Sequence, residues 1–282
     1  MRTPGIEIFY WIDDWATDQP PYFEKARAAG FDAVEMSLVN GPNIDVAAYK
    51  AALEAHNLQV YCSMGLPQEH DITHPDDAVR QRGSEYLKRC VETAAKLGSP
   101  VLGGLPYVPW LYFPEGNDLQ PYRDRAAAVL REVAKAAAEN GITITLEIIN
   151  RFETFMFNTV AEATVFLEQI DHPGVKLQLD TYHLNMEEDN IAAAIRAAGD
   201  RIGHFHCAAS NRKLPGKGHI NWGEVRAALD DVNYSGGVII ETFPNPNSET
   251  GRTVNTWRPL VTDFDAEAAE AAAFICQQLI DG

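Results

Sequence analysis

Apolar runs alternate with polar stretches along the whole chain, at the spacing expected of alternating strands and helices. A helix-like stretch that ends in Gly and is followed at once by an apolar, β-like run occurs four times, which is typical of a helix-to-strand connection. These junctions are KARAAG before FDAVEMSL, AAKLG before SPVLGG, AAAENG before ITITLEII and IRAAG before DRIGHFH. Further β-like runs cover 6–11, 59–64, 175–179 and 237–243. The pattern therefore predicts eight strands.

Helices are predicted between these strands, and they cover 18–29, 45–56, 77–97, 120–140, 159–170, 188–199, 222–230 and 265–280. Strict alternation leaves two folds, an open doubly wound sheet or a closed barrel. The chain has neither a GxGxxG after its first strand nor a GxxxxGK[ST] loop, and eight units favour closure. We therefore predict an α/β fold, a (β/α)₈ TIM barrel that occupies 1–282 as a single domain, because such barrels typically take about 250 residues.

Composition excludes several partners. With 23 basic and 40 acidic residues the chain carries a formal charge of −17, which would repel a nucleic-acid backbone. Four widely separated cysteines without a CxxC pair indicate free thiols in a reducing compartment. The N-terminal segment MRTPGIEIFYW lacks a secretory pattern, and no apolar run reaches 18 residues. We therefore expect a cytoplasmic protein that binds a small molecule, with no membrane or nucleic-acid partner.

Four apolar runs in the second half end in an acid or a histidine: Glu147, Asp180, His206 and Glu241. Their spacings of 33, 26 and 35 residues correspond to one strand plus one helix each. Because the C-terminal ends of barrel strands all face one mouth, the four side chains are predicted to converge. Three carboxylates and an imidazole form an oxygen-rich site for a divalent cation such as Mn²⁺, Mg²⁺ or Co²⁺, and not a thiolate zinc site. His204, two residues earlier on the same face, is predicted to be a core or supporting group.

A cation held in this way would chelate two adjacent oxygens of a ketose or hydroxy-ketone. Chelation would acidify the neighbouring C–H and stabilise a cis-enediolate, while a carboxylate at the metal serves as the base. Return of the proton by a second glutamate on the opposite face would give epimerisation. Return by the same base to the next carbon would give an aldose–ketose isomer, so the residues alone leave both outcomes open.

The chain resembles the D-tagatose 3-epimerase and D-psicose (allulose) 3-epimerase group within the xylose-isomerase-like barrels, from YW at Tyr10 and Trp11 to Trp257 and Arg258. The resemblance is densest in LEIINRFE, QLDTYHLNMEE, GHFH followed by NR, PGKG and W, and IIETF. It implies metal ligation by the quartet, with its two glutamates doubling as the acid–base pair. It further implies sugar binding by Glu153, His183 and Arg212, Mn²⁺ or Co²⁺ as the metal, and a homodimer or homotetramer.

The chain departs from that group at two places. One is after the last ligand, where the group's EPF is Glu241, Thr242, Phe243, and the loop beyond it, PNPNSETGRTVNTWR, could reshape the rim of the pocket. At the other, the group's GExxR after the metal histidine is AASNR at 208–212, so the acidic residue that would orient Arg212 is absent, which leaves the sugar open. The aromatic segment YVPWLYF, 107–113, is predicted as a substrate wall or a subunit contact, with Trp110 as a substrate-binding residue.

Rival functions remain beside the epimerase. A metal-dependent lyase or deglycosidase acting on a 3-keto-sugar would share the first proton abstraction, and a non-catalytic sugar-binding barrel would share the fold. A metal-dependent endonuclease of this barrel type normally needs several more histidine ligands and a basic DNA-binding face. The chain has eight histidines in all and a formal charge of −17, so this function is disfavoured.

Overall fold

Eight parallel strands pair in chain order, and the last pairs with the first, so the sheet closes into a barrel. The computed structural model describes residues 1–281. The strands are β1 Thr3–Glu7, β2 Ala33–Ser37, β3 Gln59–Leu66, β4 Val101–Pro109, β5 Thr143–Glu147, β6 Val175–Asp180, β7 Ile202–Cys207 and β8 Gly237–Ile240. The predicted (β/α)₈ barrel is therefore confirmed.

Helices follow the strands and cover the outside of the barrel. They are α1 Phe23–Ala29, α2 Val46–His56, α3 Asp77–Leu97, α4 Gln120–Glu139, α5 Val160–Ile170, α6 Thr181–Glu187, α7 Ile191–Ala198, α8 Trp222–Asp231, α9 Glu249–Thr253 and α10 Phe264–Ile275. A π-helical turn, Cys276–Ile280, continues the last of them. Across residues 1–281, none of the helices is long and apolar enough to cross a membrane.

The first strand differs from the prediction of 6–11. It ends at Glu7, because the Glu7 carboxylate accepts a hydrogen bond from the backbone N–H of Phe9 and so begins a 3₁₀ helix, Ile8–Tyr10. The first predicted helix, 18–29, starts only at Phe23. Pro20 lies in a separate 3₁₀ turn before it, as expected of a residue that donates no backbone hydrogen bond.

Two other elements were predicted incompletely. The structure extends β4 to Pro109, so Tyr107 is a fully buried strand residue and not part of an exposed loop. The helix predicted at 188–199 corresponds to α7, which begins after the capping residue Asn190, whereas α6, which begins directly after Asp180, was not predicted.

One layer of the barrel interior is polar, whereas branched apolar side chains usually fill this space. Gln178 accepts a hydrogen bond from the backbone N–H of Gly104 at 2.9 Å and one from the Thr145 hydroxyl at 3.2 Å. Glu35 and His204 are fully buried in the same interior. Gly103 provides the room, since a Cβ atom there would lie 2.2 Å from Oε1 of Gln178. This polar layer lies directly beneath the barrel mouth and supports it.

Candidate metal and substrate site

The four predicted ligands meet at the C-terminal mouth of the barrel. Glu147 ends β5, Asp180 ends β6, His206 lies in β7 and Glu241 directly follows β8. One ligand atom from each of these side chains lies within 4.8 Å of those of the other three. The structure thus brings the quartet together, as the spacing of the strands predicted.

His206 is oriented by a carboxylate on its far side. Its Nε2 lies 3.0 Å from each carboxylate oxygen of Glu35. Its Nδ1 lies 3.3 Å from Oε1 of Glu147 and 3.7 Å from Oε2 of Glu241. A carboxylate on the remote nitrogen of a metal-binding histidine fixes the ring and its tautomer. Nδ1 is therefore the nitrogen presented to the carboxylate cluster.

Glu35 also contacts the second histidine of β7. Nε2 of His204 lies 2.5 Å from Oε2 of Glu35, and both side chains are completely buried. His204 is thus a supporting group inside the barrel, as its position on the strand indicated. Glu35 itself was missed, although it interrupts the apolar run AVEMS in the same manner as the predicted ligands interrupt theirs.

The donor set fits a hard divalent cation. The cluster offers three carboxylates and one imidazole nitrogen, the preference of Mn²⁺, Mg²⁺ and Co²⁺ sites and not of thiolate zinc sites. Oε1 of Glu147 is buried and has no hydrogen-bond partner within residues 1–281. An orphaned buried carboxylate oxygen is costly unless a cation or a ligand satisfies it. This oxygen supports metal binding independently of the family resemblance.

Arg212 bridges two members of the quartet. Its Nη1 donates to Oδ2 of Asp180 at 2.7 Å, and its Nη2 donates to Oε2 of Glu241 at 2.6 Å. The guanidinium carbon lies 4.6 Å above the ring of Tyr182, and the Thr242 hydroxyl donates to the Arg212 carbonyl. These contacts hold Arg212 without the acidic residue that the related group carries three positions earlier.

The pKa values of the two glutamates of the quartet are shifted in opposite directions. Burial, and then the nearby charge of Glu241, raise the pKa of Glu147 to about 7. Burial would also raise the pKa of Glu241, but the positive charges of Arg212 and His206 outweigh it and lower this pKa to about 2. A pair of carboxyl groups whose pKa values are driven apart in this way suits one acid and one base.

The residues predicted to bind the sugar line the same cavity as the quartet: Trp110, Glu153, His183 and Arg212. Trp110 Nε1 donates to Oε2 of Glu153 at 3.1 Å, and the side-chain amide of Asn150 donates to Oε1 of Glu153 at 2.8 Å. The backbone N–H of Asn150 donates to Nδ1 of His183 at 3.2 Å. Nδ1 is therefore an acceptor, and the His183 proton lies on Nε2. Asn150 was missed, because a polar loop residue after β5 has no distinguishing pattern.

Burial, followed by the positive charge of Arg212, lowers the pKa of His183 well below its ordinary value. A neutral His183 with its proton on Nε2 presents a hydrogen-bond donor, which lies 3.8 Å from Oδ2 of Asp180. The imidazole is therefore positioned by α6, a helix not predicted from the sequence, to donate to an oxygen beside the quartet.

Aromatic side chains also line the cavity. Trp15 packs edge-on against Trp110, with ring centroids 6.2 Å apart, and also contacts Phe243 at 5.7 Å. Trp15 was not predicted as a site residue. Within the predicted aromatic segment, Tyr107 lies below the cavity and its hydroxyl donates to the Glu147 carbonyl at 2.7 Å. Trp110 faces the cavity, while 48% of Phe113 is exposed.

The fold and this site agree with a known family. Residues 23–260 match the family of xylose isomerase-like TIM barrels, and the chain belongs to that family. Within it, the chain is 33% identical to a D-psicose 3-epimerase of Ruminiclostridium cellulolyticum, over 95% of this chain and 93% of the relative. It is 35% identical to an L-ribulose 3-epimerase of a Methylomonas species, over 97% of this chain and 96% of the relative.

Solved structures show the same likeness. A D-psicose 3-epimerase from Clostridium cellulolyticum, determined with D-tagatose, superposes with a TM-score of 0.93 at 32% identity and covers 99% of this chain and 100% of that one. A D-psicose 3-epimerase determined in the presence of D-fructose gives a TM-score of 0.94 at 32% identity, with 99% of each chain covered. The resemblance to the D-psicose 3-epimerase group is therefore confirmed.

Proposed function

We propose that this protein is a divalent-metal-dependent ketose 3-epimerase that inverts C3 of a free 2-ketose. The observation that carries the proposal is the pair Glu147, at the end of β5, and Glu241, directly after β8, which both face Nδ1 of His206. Two carboxyl groups beside one cation site provide a base and an acid for the same carbon. The names of the relatives, D-psicose 3-epimerase and L-ribulose 3-epimerase, support this assignment.

The metal is assigned to the quartet Glu147, Asp180, His206 and Glu241, with Mn²⁺ as the first candidate and Co²⁺ or Mg²⁺ as alternatives. When bound there, it would supply Lewis-acid polarisation of the substrate carbonyl and neutralise the negative charge that develops as the proton leaves. Glu35 orients His206, and Arg212 holds the carboxylates of Asp180 and Glu241 at fixed positions.

The proton transfer follows from the positions of the two glutamates beside the cation site. In one direction Glu241 acts as the carboxylate base and removes the C3 proton, and the electron pair of the broken C–H bond is delocalised toward the C2 carbonyl oxygen. Glu147 acts as the carboxylic acid and delivers its proton to C3 from the opposite face. The reverse reaction exchanges the two roles. C3 is thereby inverted with no net change in atoms or electrons.

Four further side chains are assigned to the sugar. Glu153, held by Asn150 and Trp110, accepts hydrogen bonds from sugar hydroxyls, and His183 donates from Nε2. The guanidinium of Arg212 donates to substrate oxygen near the cation site. Trp110 provides an apolar wall against the sugar carbons, as aromatic residues commonly do in such pockets.

Incubation of the Mn²⁺-loaded protein with a panel of free ketohexoses and ketopentoses tests the proposal. We expect a C3 epimer as the sole product from at least one ketose, with chelation abolishing the activity and Mn²⁺ or Co²⁺ restoring it. An aldose product would instead assign an isomerase. Release of an aglycone from a 3-keto-glycoside would assign the lyase or deglycosidase, and sugar binding without turnover would assign a binding protein.

We also infer a homodimer or homotetramer in the cytoplasm, with 1–282 as one domain. Exposed aromatic side chains on the structure support an interface, among them Phe152 and Trp257, each 72% exposed. Light scattering on the purified protein measures the oligomeric state directly, and a monomer at micromolar concentration would contradict the inference.

A further inference from the structure

The mouth of the barrel contains a carboxyl group that the proposed mechanism does not use. Glu7 is the last residue of β1, and only 3% of it is exposed. It lines the same cavity as Glu147, His206 and Glu241. In the parallel ladder it pairs with Glu35 of β2, so it lies on the β1–β2 side of the mouth, across from Glu147 of β5.

The two oxygens of Glu7 have different environments. Oε2 accepts a hydrogen bond from the backbone N–H of Phe9 at 2.7 Å, and this bond caps the 3₁₀ helix that follows β1. Oε1 is buried and has no hydrogen-bond partner within residues 1–281. Because the cap holds the carboxyl group in place, Oε1 is a fixed polar atom of a side chain that lines the cavity.

A purely structural role does not account for this oxygen. A Ser or Asn side chain would cap the same N–H without adding a second buried acceptor, and a buried polar atom left without a partner costs roughly 1–3 kcal/mol. Nor does Glu7 belong to the metal cluster. Its oxygens are not among the ligand atoms that lie within 4.8 Å of one another in either candidate group of residues 1–281.

We propose that Glu7 is a specificity-determining residue, whose Oε1 forms a hydrogen bond with a substrate hydroxyl remote from the reacting C3. This inference rests on the proposed function, because it requires a polyhydroxylated ligand in the cavity. The residues assigned above to the sugar, Glu153 and His183, lie on the loop after β5 and on α6. Glu7 would bind the end of the sugar remote from C3. Chelation of two adjacent sugar oxygens by the cation would not by itself fix the position of that end.

The test compares substrates and variants together. For the Mn²⁺-loaded wild type, kcat/KM and Kd are measured for a ketohexose and for its 4-deoxy, 5-deoxy and 6-deoxy analogues. The same series is measured for Glu7→Met, which removes both oxygens at similar volume, and for Glu7→Gln, which keeps one acceptor. Asp45→Asn is the matched control, because Asp45 caps α2 with its carboxylate, is exposed and does not line the cavity.

We expect one deoxy analogue to lose about 10- to 100-fold in kcat/KM with the wild type, because it leaves the buried Oε1 of Glu7 without a hydrogen-bond partner. In Glu7→Met that same analogue and the parent ketose should react equally well, with Glu7→Gln intermediate and Asp45→Asn like the wild type. Melting temperature and metal content of each variant show whether it is folded and loaded. If Glu7→Met does not fold, the ratio of kcat/KM for the parent ketose to kcat/KM for that deoxy analogue in Glu7→Gln tests the proposal alone.

The proposal is overturned if Glu7→Met or Glu7→Gln lowers kcat/KM and affinity by the same factor for the parent and every analogue, or changes neither. The binding constants separate this result from a failure of the proposed function. Sugar binding without turnover by the wild type would refute the epimerase while the analogue series still tests Glu7. No binding of any sugar by the wild type would overturn both.

Discussion

The carboxylate of Glu35 lies 3.0 Å from Nε2 of His206, on the side of the imidazole opposite Glu147 and Glu241. This contact fixes which nitrogen faces the cluster. We therefore predict that Glu35→Gln lowers the affinity for Mn²⁺ by about 10- to 100-fold, the usual effect of removing such a supporting carboxylate. Isothermal titration calorimetry of the metal-free variant measures the change.

His204→Gln is the matched control for Glu35. His204 also contacts Glu35 but does not face the carboxylate cluster, so its replacement should lower the melting temperature and leave Mn²⁺ affinity close to that of the wild type. Equal losses of affinity in the two variants would show that general destabilisation, and not the orientation of His206, explains the effect.

The quartet is predicted to be required for metal binding but not for folding. Residues at the C-terminal ends of barrel strands serve function more than stability, so Glu147→Gln and Asp180→Asn should fold and lose most of their bound divalent metal. Elemental analysis of the purified variants gives the stoichiometry. Glu153→Gln, a carboxylate of the same cavity outside the quartet, should retain full metal content. Unchanged stoichiometry in the first two variants contradicts the assignment.

The polar interior makes a prediction about stability. Gly103→Ala would place a Cβ atom 2.2 Å from Oε1 of Gln178 and 2.9 Å from Oγ1 of Thr145, so Gln178 would have to leave the backbone N–H of Gly104. We expect a loss of about 1–3 kcal/mol in the free energy of unfolding, the cost of overpacking a well-packed core.

Gly65→Ala provides the comparison for Gly103→Ala. A Cβ atom at Gly65 has no neighbour within 4 Å, so this variant should unfold at the same denaturant concentration as the wild type. If the Gly103→Ala and wild-type proteins unfold together, the interior is looser than the contacts of Gln178 indicate.

The sequence predicted most of the barrel and the four-residue cluster, because hydrophobic periodicity and strand-end position are local properties of the chain. Glu7 and Glu35 follow the same rule as Glu147, because each is an acid inside an apolar run. Their roles could not be predicted, because Glu35 meets His204 and His206 only when the barrel brings β2 and β7 together. The bond from Glu7 to the N–H of Phe9 likewise depends on the chain turning into a 3₁₀ helix after β1. The helix after Asp180 was missed because that residue ends β6 and caps α6 at once, with no turn residues between them. Arg212 was identified by resemblance alone, and the structure added the two carboxylates that hold it.

The two glutamates are predicted to be indispensable individually. Glu147→Gln and Glu241→Gln should each lower kcat by at least about 100-fold on the preferred ketose, because each supplies one half of a two-sided proton transfer. Turnover is to be measured at saturating Mn²⁺ with the metal content of each variant determined. Near-normal kcat in either metal-loaded variant would contradict the two-base mechanism.

Proton exchange at a defined carbon tests the central claim most directly. The Mn²⁺-loaded protein is incubated with its preferred ketose in D₂O, and the product is examined by NMR. We predict an epimeric ketose that carries deuterium at C3 and none at C1, because the proton removed by one glutamate is replaced from the other. Deuterium at C1 together with an aldose product would contradict the account and assign an aldose–ketose isomerase.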